Sequence, residues 1–235
     1  MALADEVGAQ IDEALSHRWD IRDGNVVPTT ESVVLAGGGV RLTVVMLYAD
    51  LVDSTALAMW DQQVTARICK AFLGGVTRLI RGQGGDVRSF DGDRVMGVFL
   101  GDRKNTSAAL CALQINWMFT QLLKPRFEAR YEKLRDGTYK LAHCTGVDLS
   151  EVLTVRAGIR NNNDLIWIGR APNVAAKLSA LREAPHHSFI SGDVYDMLHD
   201  DAKLWQGQNM WEQRSWSSGP INRVYRSGWW RHPSY

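Results

Sequence analysis

Cysteine is scarce in this chain. Cys69, Cys111 and Cys144 are its three, scattered and without a C-x-x-C pair, which suits reduced thiols better than a disulfide framework or a zinc site. An excess of either charge is missing too. With 27 Lys and Arg against 26 Asp and Glu the formal net charge is +1, so nothing electrostatic argues for coating nucleic acid or an anionic membrane. No basic stripe marks a nucleic-acid-binding module. No apolar run approaches the ~20 residues that span a bilayer. The N-terminus "MALADEVGAQIDEALSHRWD" is acidic and amphipathic, unlike the basic start and apolar core of a signal peptide. Internal repeats and low-complexity tracts are absent as well. What remains is 235 residues at 45% hydrophobic content, enough for one globular core and expected to be soluble and cytoplasmic.

The pattern along the chain predicts an α+β protein. Residues 5–19 read as a short helix, followed by the polar linker "DGNVVPTTES" and a strand over 41–48. A helix is expected from Ser54 to about Ile80, opened by the cap chemistry of Asp53, Ser54 and Thr55. "GGDVRSFDGDRVMGVFL" then places Asp91-Gly92 between two apolar-rich runs, a hairpin signal. A long helix covers roughly 105–133, with a bend near Pro125. Strands follow at about 139–147 and 150–157, then a helix with Pro172 in its first turn. "INRVYRSGWW" reads as a final edge strand. This order makes a mixed sheet with helices packed on one face, the other face being left for a ligand or a second subunit.

Within that frame Asp50 ends one strand and Asp93 sits in the hairpin turn. If the strands are neighbours, the two carboxylates converge at the sheet edge, where they repel unless a cation lies between them. All-oxygen donors favour a hard ion, Mg²⁺ or Mn²⁺, completed by substrate phosphates. The turn after Asp50 enters a helix, so backbone N–H groups of Val52, Asp53, Ser54 and Thr55 are candidates for cradling a triphosphate. Taken alone, a pair of surface aspartates is more often two solvated turns. "GGD" at 84–86 reads as a turn, Trp167 as packing, and His143, His186, His187 and His199 as structural or exposed.

Four segments in order resemble the class III nucleotidyl cyclases. "LYADLVDSTALA" is similar to their first metal strand and "RSFDGDRVMGVF" to their metal hairpin. "GVDLSEVLTVRAGIR" resembles the strand pair that follows, and "WIGRAPNVAAKL" the segment carrying their catalytic asparagine. The resemblance covers about residues 41–182 and implies a ferredoxin-like palm, working as a head-to-tail homodimer. By position it implies that Asp50, Asp93 and the Leu51 carbonyl hold two metal ions per site, Mn²⁺ or Mg²⁺. It further implies that Arg160 binds the triphosphate and Asn173 orients the ribose. Lys177 stands where the family usually has arginine, which keeps the charge but loses the fork that grips two phosphate oxygens. Residues 1–35 then form a helix and linker, 36–205 the cyclase domain and 206–235 a tryptophan-rich extension.

The family's adenine readers, a lysine and an aspartate, fall here on Ser89 and Ile166. Isoleucine neither donates nor accepts, so an exocyclic purine amine would lose its partner at about 1–3 kcal/mol. Tyr48, two residues before Asp50 and hence on the same strand face, would shrink the pocket further and favour a one-ring base. The combination resembles the bacterial Pycsar pyrimidine cyclases, which implies UTP, with CTP second, cyclised to a messenger for anti-phage defence and sensed by a separately encoded effector. A purine cyclase and a non-catalytic nucleotide-binding domain are the alternatives.

Overall fold

The computed structural model describes residues 2–217 and 219–233. In chain order it runs α1 (Leu3–Ser16), β1 (Asp20–Asp23), β2 (Gly38–Leu51), α2 (Ser54–Trp60), α3 (Gln62–Gly82), β3 (Asp86–Asp91), β4 (Arg94–Phe99) and α4 (Lys104–Trp117). A π-helical turn, Met118–Leu123, leads into α5 (Lys124–Arg130) and α6 (Glu132–Arg135). Then come β5 (His143–Ile159), β6 (Asn162–Gly169), α7 (Arg170–Ser179), β7 (Ser188–Ser191), α8 (Gly192–Asp196) and α9 (Asp200–Lys203). The chain ends with β8 (Leu204–Trp205), β9 (Gln208–Asn209), β10 (Glu212–Ser215) and β11 (Arg223–Ser227).

Two compact units share these elements. The smaller comprises Met1–Thr43 and Glu151–Gly169, the larger Val44–Ser150 and Arg170–Tyr235. In the smaller unit β1 pairs in parallel with the start of β2, and β6 pairs antiparallel with the end of β5. In the larger, the strand order is β10-β11-β7-β5-β2-β4-β3, mixed because β5 and β7 run parallel while β2, β4 and β3 are antiparallel.

The larger unit's main core lies under α3 and α4. Helix α3 turns Val64, Ile68, Phe72, Val76 and Ile80 inward at four-residue intervals, and β2 adds Val45, Leu47, Ala49 and Leu51 from alternate positions. Each of these side chains other than Ala49 contributes about 1.5–3 kcal/mol by leaving water. A second cluster joins Val174 and Leu178 of α7 to Cys144, Phe189, Val224 and Trp216. Phe189 and Ile190, and likewise Val224 and Tyr225, belong to different clusters. Successive strand residues point to opposite faces, so α7 covers the face of β5, β7 and β11 opposite the main core. Its approach to β5 is close: a Cβ at Gly146 would lie 2.2 Å from the Ala175 carbonyl oxygen and 2.4 Å from the Ser179 nitrogen.

Several expected boundaries move. The single helix expected from Ser54 to Ile80 is two, because Asp61 is extended and its carboxylate accepts from the Gln63 and Val64 N–H groups at 2.8 and 2.9 Å, capping α3. The helix expected over 105–133 is interrupted by the π turn just before Pro125. The strands expected at 139–147 and 150–157 are one strand, β5, and the reversal falls at Arg160-Asn161, where Asn161 adopts φ 69°. Strand β11 is not the edge: β10 lies outside it. Among the described residues no helix is long and apolar enough to cross a membrane.

Candidate active site

The hairpin β3–β4 forms where Asp91-Gly92-Asp93 turns, with Gly92 at φ +61°, a conformation glycine adopts without strain. Its second strand pairs with β2 in the register Asp50↔Arg94. Asp50 and Asp93 therefore line one cleft of about 520 Å³, together with Leu51, Asp53, Ser54, Thr55, Arg94 and Arg182.

Asp50 is only 6% exposed. Its Oδ2 accepts from two guanidinium groups, Arg94 and Arg182, each at 3.5 Å. Burial raises its pKa above the ordinary carboxylate value and the Asp93 charge adds to the rise, while Arg94 and Arg182 oppose it. The Oδ2 of Asp93 is buried with no hydrogen-bond partner among the described residues. A bare buried carboxylate oxygen beside a second carboxylate is a donor set that a hard divalent cation satisfies. The residues present thus fit such an ion.

The loop after β2 is fixed from the side. Val52 donates its N–H to the Ala142 carbonyl at 2.9 Å, so of the four amides expected to face a triphosphate this one is already committed to the protein. Asp53 turns the chain with φ 56°, and the first-turn N–H groups of Ser54 and Thr55 have no partner within their own helix. Helix α2 is seven residues long, so the amides themselves, more than a helix dipole, are what this loop offers an anion.

Tyr48 and Ser89 share a row. Tyr48 pairs with Met96 across β2–β4, and Met96 pairs with Ser89 across β4–β3. Directly paired residues lie on one face, and the Tyr48 hydroxyl donates to the Met96 Sδ at 2.9 Å. Asn173 and Lys177 occupy the exposed side of α7 and are not walls of the carboxylate cleft. Arg160 and Ile166 belong to the smaller unit. There Arg160 is exposed at the β5–β6 turn, beside Arg156, Asn161 and Asn163 in a polar depression, and Ile166 is exposed on β6 opposite Val155.

Three residues that position this site escaped the sequence reading. Arg94 and Arg182 are the counter-charges of Asp50. Arg170, the first residue of α7, grips the fully buried Asp148 of β5 through two nitrogens at 3.1 and 3.3 Å, and the Ser150 hydroxyl accepts from the Ala171 N–H at 2.9 Å. These contacts fix the start of the helix that carries Asn173 and Lys177.

No protein-family model matches the chain. Over 99% of its length, and 99% of the relative's, it is 42% identical to a uridylate cyclase from Rhodovulum sp. (strain MB263). A uridylate cyclase from Xanthomonas perforans is 37% identical over 98% of this chain and 99% of its own. An adenylyl cyclase from P. aeruginosa superimposes with a TM-score of 0.67 at 18% identity, covering 80% of this chain and 95% of that one, which extends the likeness to the class III cyclase fold. By its full-length similarity to these relatives, the chain belongs to the uridylate cyclase family.

Proposed function

We propose that this protein cyclises UTP to 3′,5′-cyclic UMP and pyrophosphate, at a site built on Asp50 and Asp93 and completed by a second copy of the chain. The observation that carries this reading is the near-full-length identity to relatives named uridylate cyclase, joined to a carboxylate pair with one unpartnered buried oxygen. Asp50, Asp93 and the Leu51 carbonyl are the residues to hold two divalent ions, Mn²⁺ or Mg²⁺, whose charge lowers the hydroxyl pKa and offsets the phosphates.

The chain's own groups do the positioning. The N–H groups of Asp53, Ser54 and Thr55 face phosphate oxygens. Arg160 and Lys177 neutralise the triphosphate, and Asn173 orients the ribose so that its 3′-oxygen lies in line with the α-phosphate. The new bond joins that oxygen to the α-phosphorus while the bond to pyrophosphate breaks. Tyr48 and Ser89, with Met96 between them, form one wall against the base, and Ile166 brings an apolar side chain where a purine amine would need an acceptor.

In the head-to-tail dimer Asp50, Asp93 and Arg160 come from one chain, with Asn173 and Lys177 from its partner, giving two sites. The cyclic product acts as a second messenger in anti-phage defence, read by a separately encoded effector. Incubation with ATP, GTP, CTP and UTP in Mn²⁺, followed by mass analysis of the products, tests the reading. Cyclic UMP should dominate. Cyclic CMP would reassign the base, and absence of any cyclic product would leave a binding domain.

A further inference from the structure

The larger unit has a second concave site that the cyclase reading does not use. It is a cavity of about 750 Å³, walled by Trp205, Trp211, Trp229, Trp230 and Met210, with His186 at one side. That is the size range of small-molecule sites. Trp205, Trp229 and Trp230 are 43%, 36% and 45% exposed. Large indole rings gathered around an opening and left in water mark a binding surface more than ordinary packing.

The walls are held by hydrogen bonds of the chain itself. Asn116 Nδ2 donates to the carbonyls of Gly228 and Trp229 at 3.2 and 2.9 Å. The Arg231 N–H donates to the Leu113 carbonyl at 3.2 Å, and the Trp211 indole N–H to the Ala202 carbonyl at 2.8 Å.

Its charges are not equivalent. Arg226 is neutralised by Glu212 and Glu183 at 2.9 and 3.1 Å, and His186 lies 3.2 Å from Glu212. Arg231 instead lies 4.4 Å over the Trp205 ring and donates to the Asp201 backbone carbonyl at 3.1 Å. The Asp201 carboxylate is held by Arg103 at 2.7 Å. Among the described residues Arg231 has no carboxylate partner of its own.

We propose that this cavity binds a small planar aromatic anion, with its ring against Trp229 and Trp230 and its anionic group on Arg231. A flat ring covers the exposed indoles. A single negative charge meets the guanidinium of this cavity that has no counter-ion among the described residues, while a larger charge would meet Glu212. An uncharged ring would gain the area but leave Arg231 without its partner. The wall residues Pro185 and His186 follow closely on Arg182, the residue touching Asp50.

The test uses the intact chain and two probes, 1-anilinonaphthalene-8-sulfonate and its uncharged relative N-phenyl-1-naphthylamine, followed by probe fluorescence and by energy transfer from tryptophan. The sulfonate should saturate one site per chain. Trp230→Ala and Arg231→Gln should each weaken it by about tenfold. The uncharged probe should bind the parent protein about tenfold more weakly and be indifferent to Arg231→Gln. Lys70→Gln, on the open groove beside Leu73 and Arg78 of α3, should change neither. Trp230 is exposed, so its variant keeps the fold. Equal binding of the two probes, or sulfonate binding unchanged in both tail variants, overturns the proposal.

Discussion

Asp50 and Asn173 belong to the same unit and to the same proposed reaction, yet their surroundings are opposite. Asp50 is buried, with two guanidinium groups at 3.5 Å. Asn173 and Lys177 lie on the exposed side of a helix whose underside is locked by Asp148, Arg170 and the close contact at Gly146. A carboxylate kept in a low-dielectric cleft must be compensated in the resting chain. Exposed polar groups whose target is proposed to lie across an interface depend instead on a rigid backbone to hold them in place. The difference teaches that one half of the proposed site is prepared electrostatically and the other mechanically.

The largest effects should separate these halves. Asp50→Ala should lower pyrophosphate release by about a thousandfold or more, since the proposed site loses a ligand shared by its two metal ions. Its urea midpoint should imply a change of about 1 kcal/mol or less, because the Arg94 and Arg182 side chains are 30% and 40% exposed and can turn to water. A collapse of the fold would make the aspartate structural. Asn173→Ala should be similarly inactive. Mixing the two inactive variants should restore about a quarter of parental turnover, as half the dimers carry one intact site. No recovery would place both halves within one chain.

Next in size is the mechanical half. Arg170→Met leaves the buried Asp148 carboxylate without its bidentate partner, which should cost about 3 kcal/mol by urea denaturation. Burial already raises the Asp148 pKa, with Ser191 and Arg170 opposing the rise. Arg170→Met with Asp148→Asn should therefore recover part of that loss. A strictly additive pair would show that the two side chains do not support one another.

Legibility in the sequence follows the same division. The hairpin was readable because Asp-Gly is local turn chemistry, and the meeting of Asp50 with Asp93 then followed from strand adjacency. Arg94 was not readable as a counter-charge, because it faces Asp50 only through the cross-strand register. Arg182 is 132 positions from Asp50, and nothing local links them. The break between α2 and α3 was hidden because Asp61 interrupts the helix without interrupting its apolar spacing. The outer strand β10, "EQRS", is wholly solvated or partly so and carries no alternation that a core would impose. For the same reason β11 looked like the end of the sheet.

The smallest expected effect concerns a buried ionisable group resolved in the opposite way to Asp50. His143 is fully buried on β5, with its Nε2 3.1 Å from the Asn116 Oδ1. Asn116 Nδ2 donates to two tail carbonyls, so its Oδ1 is the acceptor and His143 Nε2 carries the proton. The His143 Nδ1 has no hydrogen-bond partner among the described residues. Burial, with a smaller contribution from His187, pushes the His143 pKa well below 6.5, and it stays neutral where Asp50 keeps cations at hand. On unfolding, the freed imidazole takes up a proton below about pH 6.5 that the folded chain refuses. Its stabilisation is therefore complete above that pH and is lost as pH falls, by about 1.4 kcal/mol per unit until the folded pKa is reached. His187, whose pKa burial also lowers, adds to the slope. His143→Gln, which keeps a donor for Asn116, should flatten the dependence of urea stability by up to one proton as pH falls from about 7 to about 5. An unchanged slope would mean that His143 gains its proton without unfolding, and that the chain treats its buried base as it treats its buried acid.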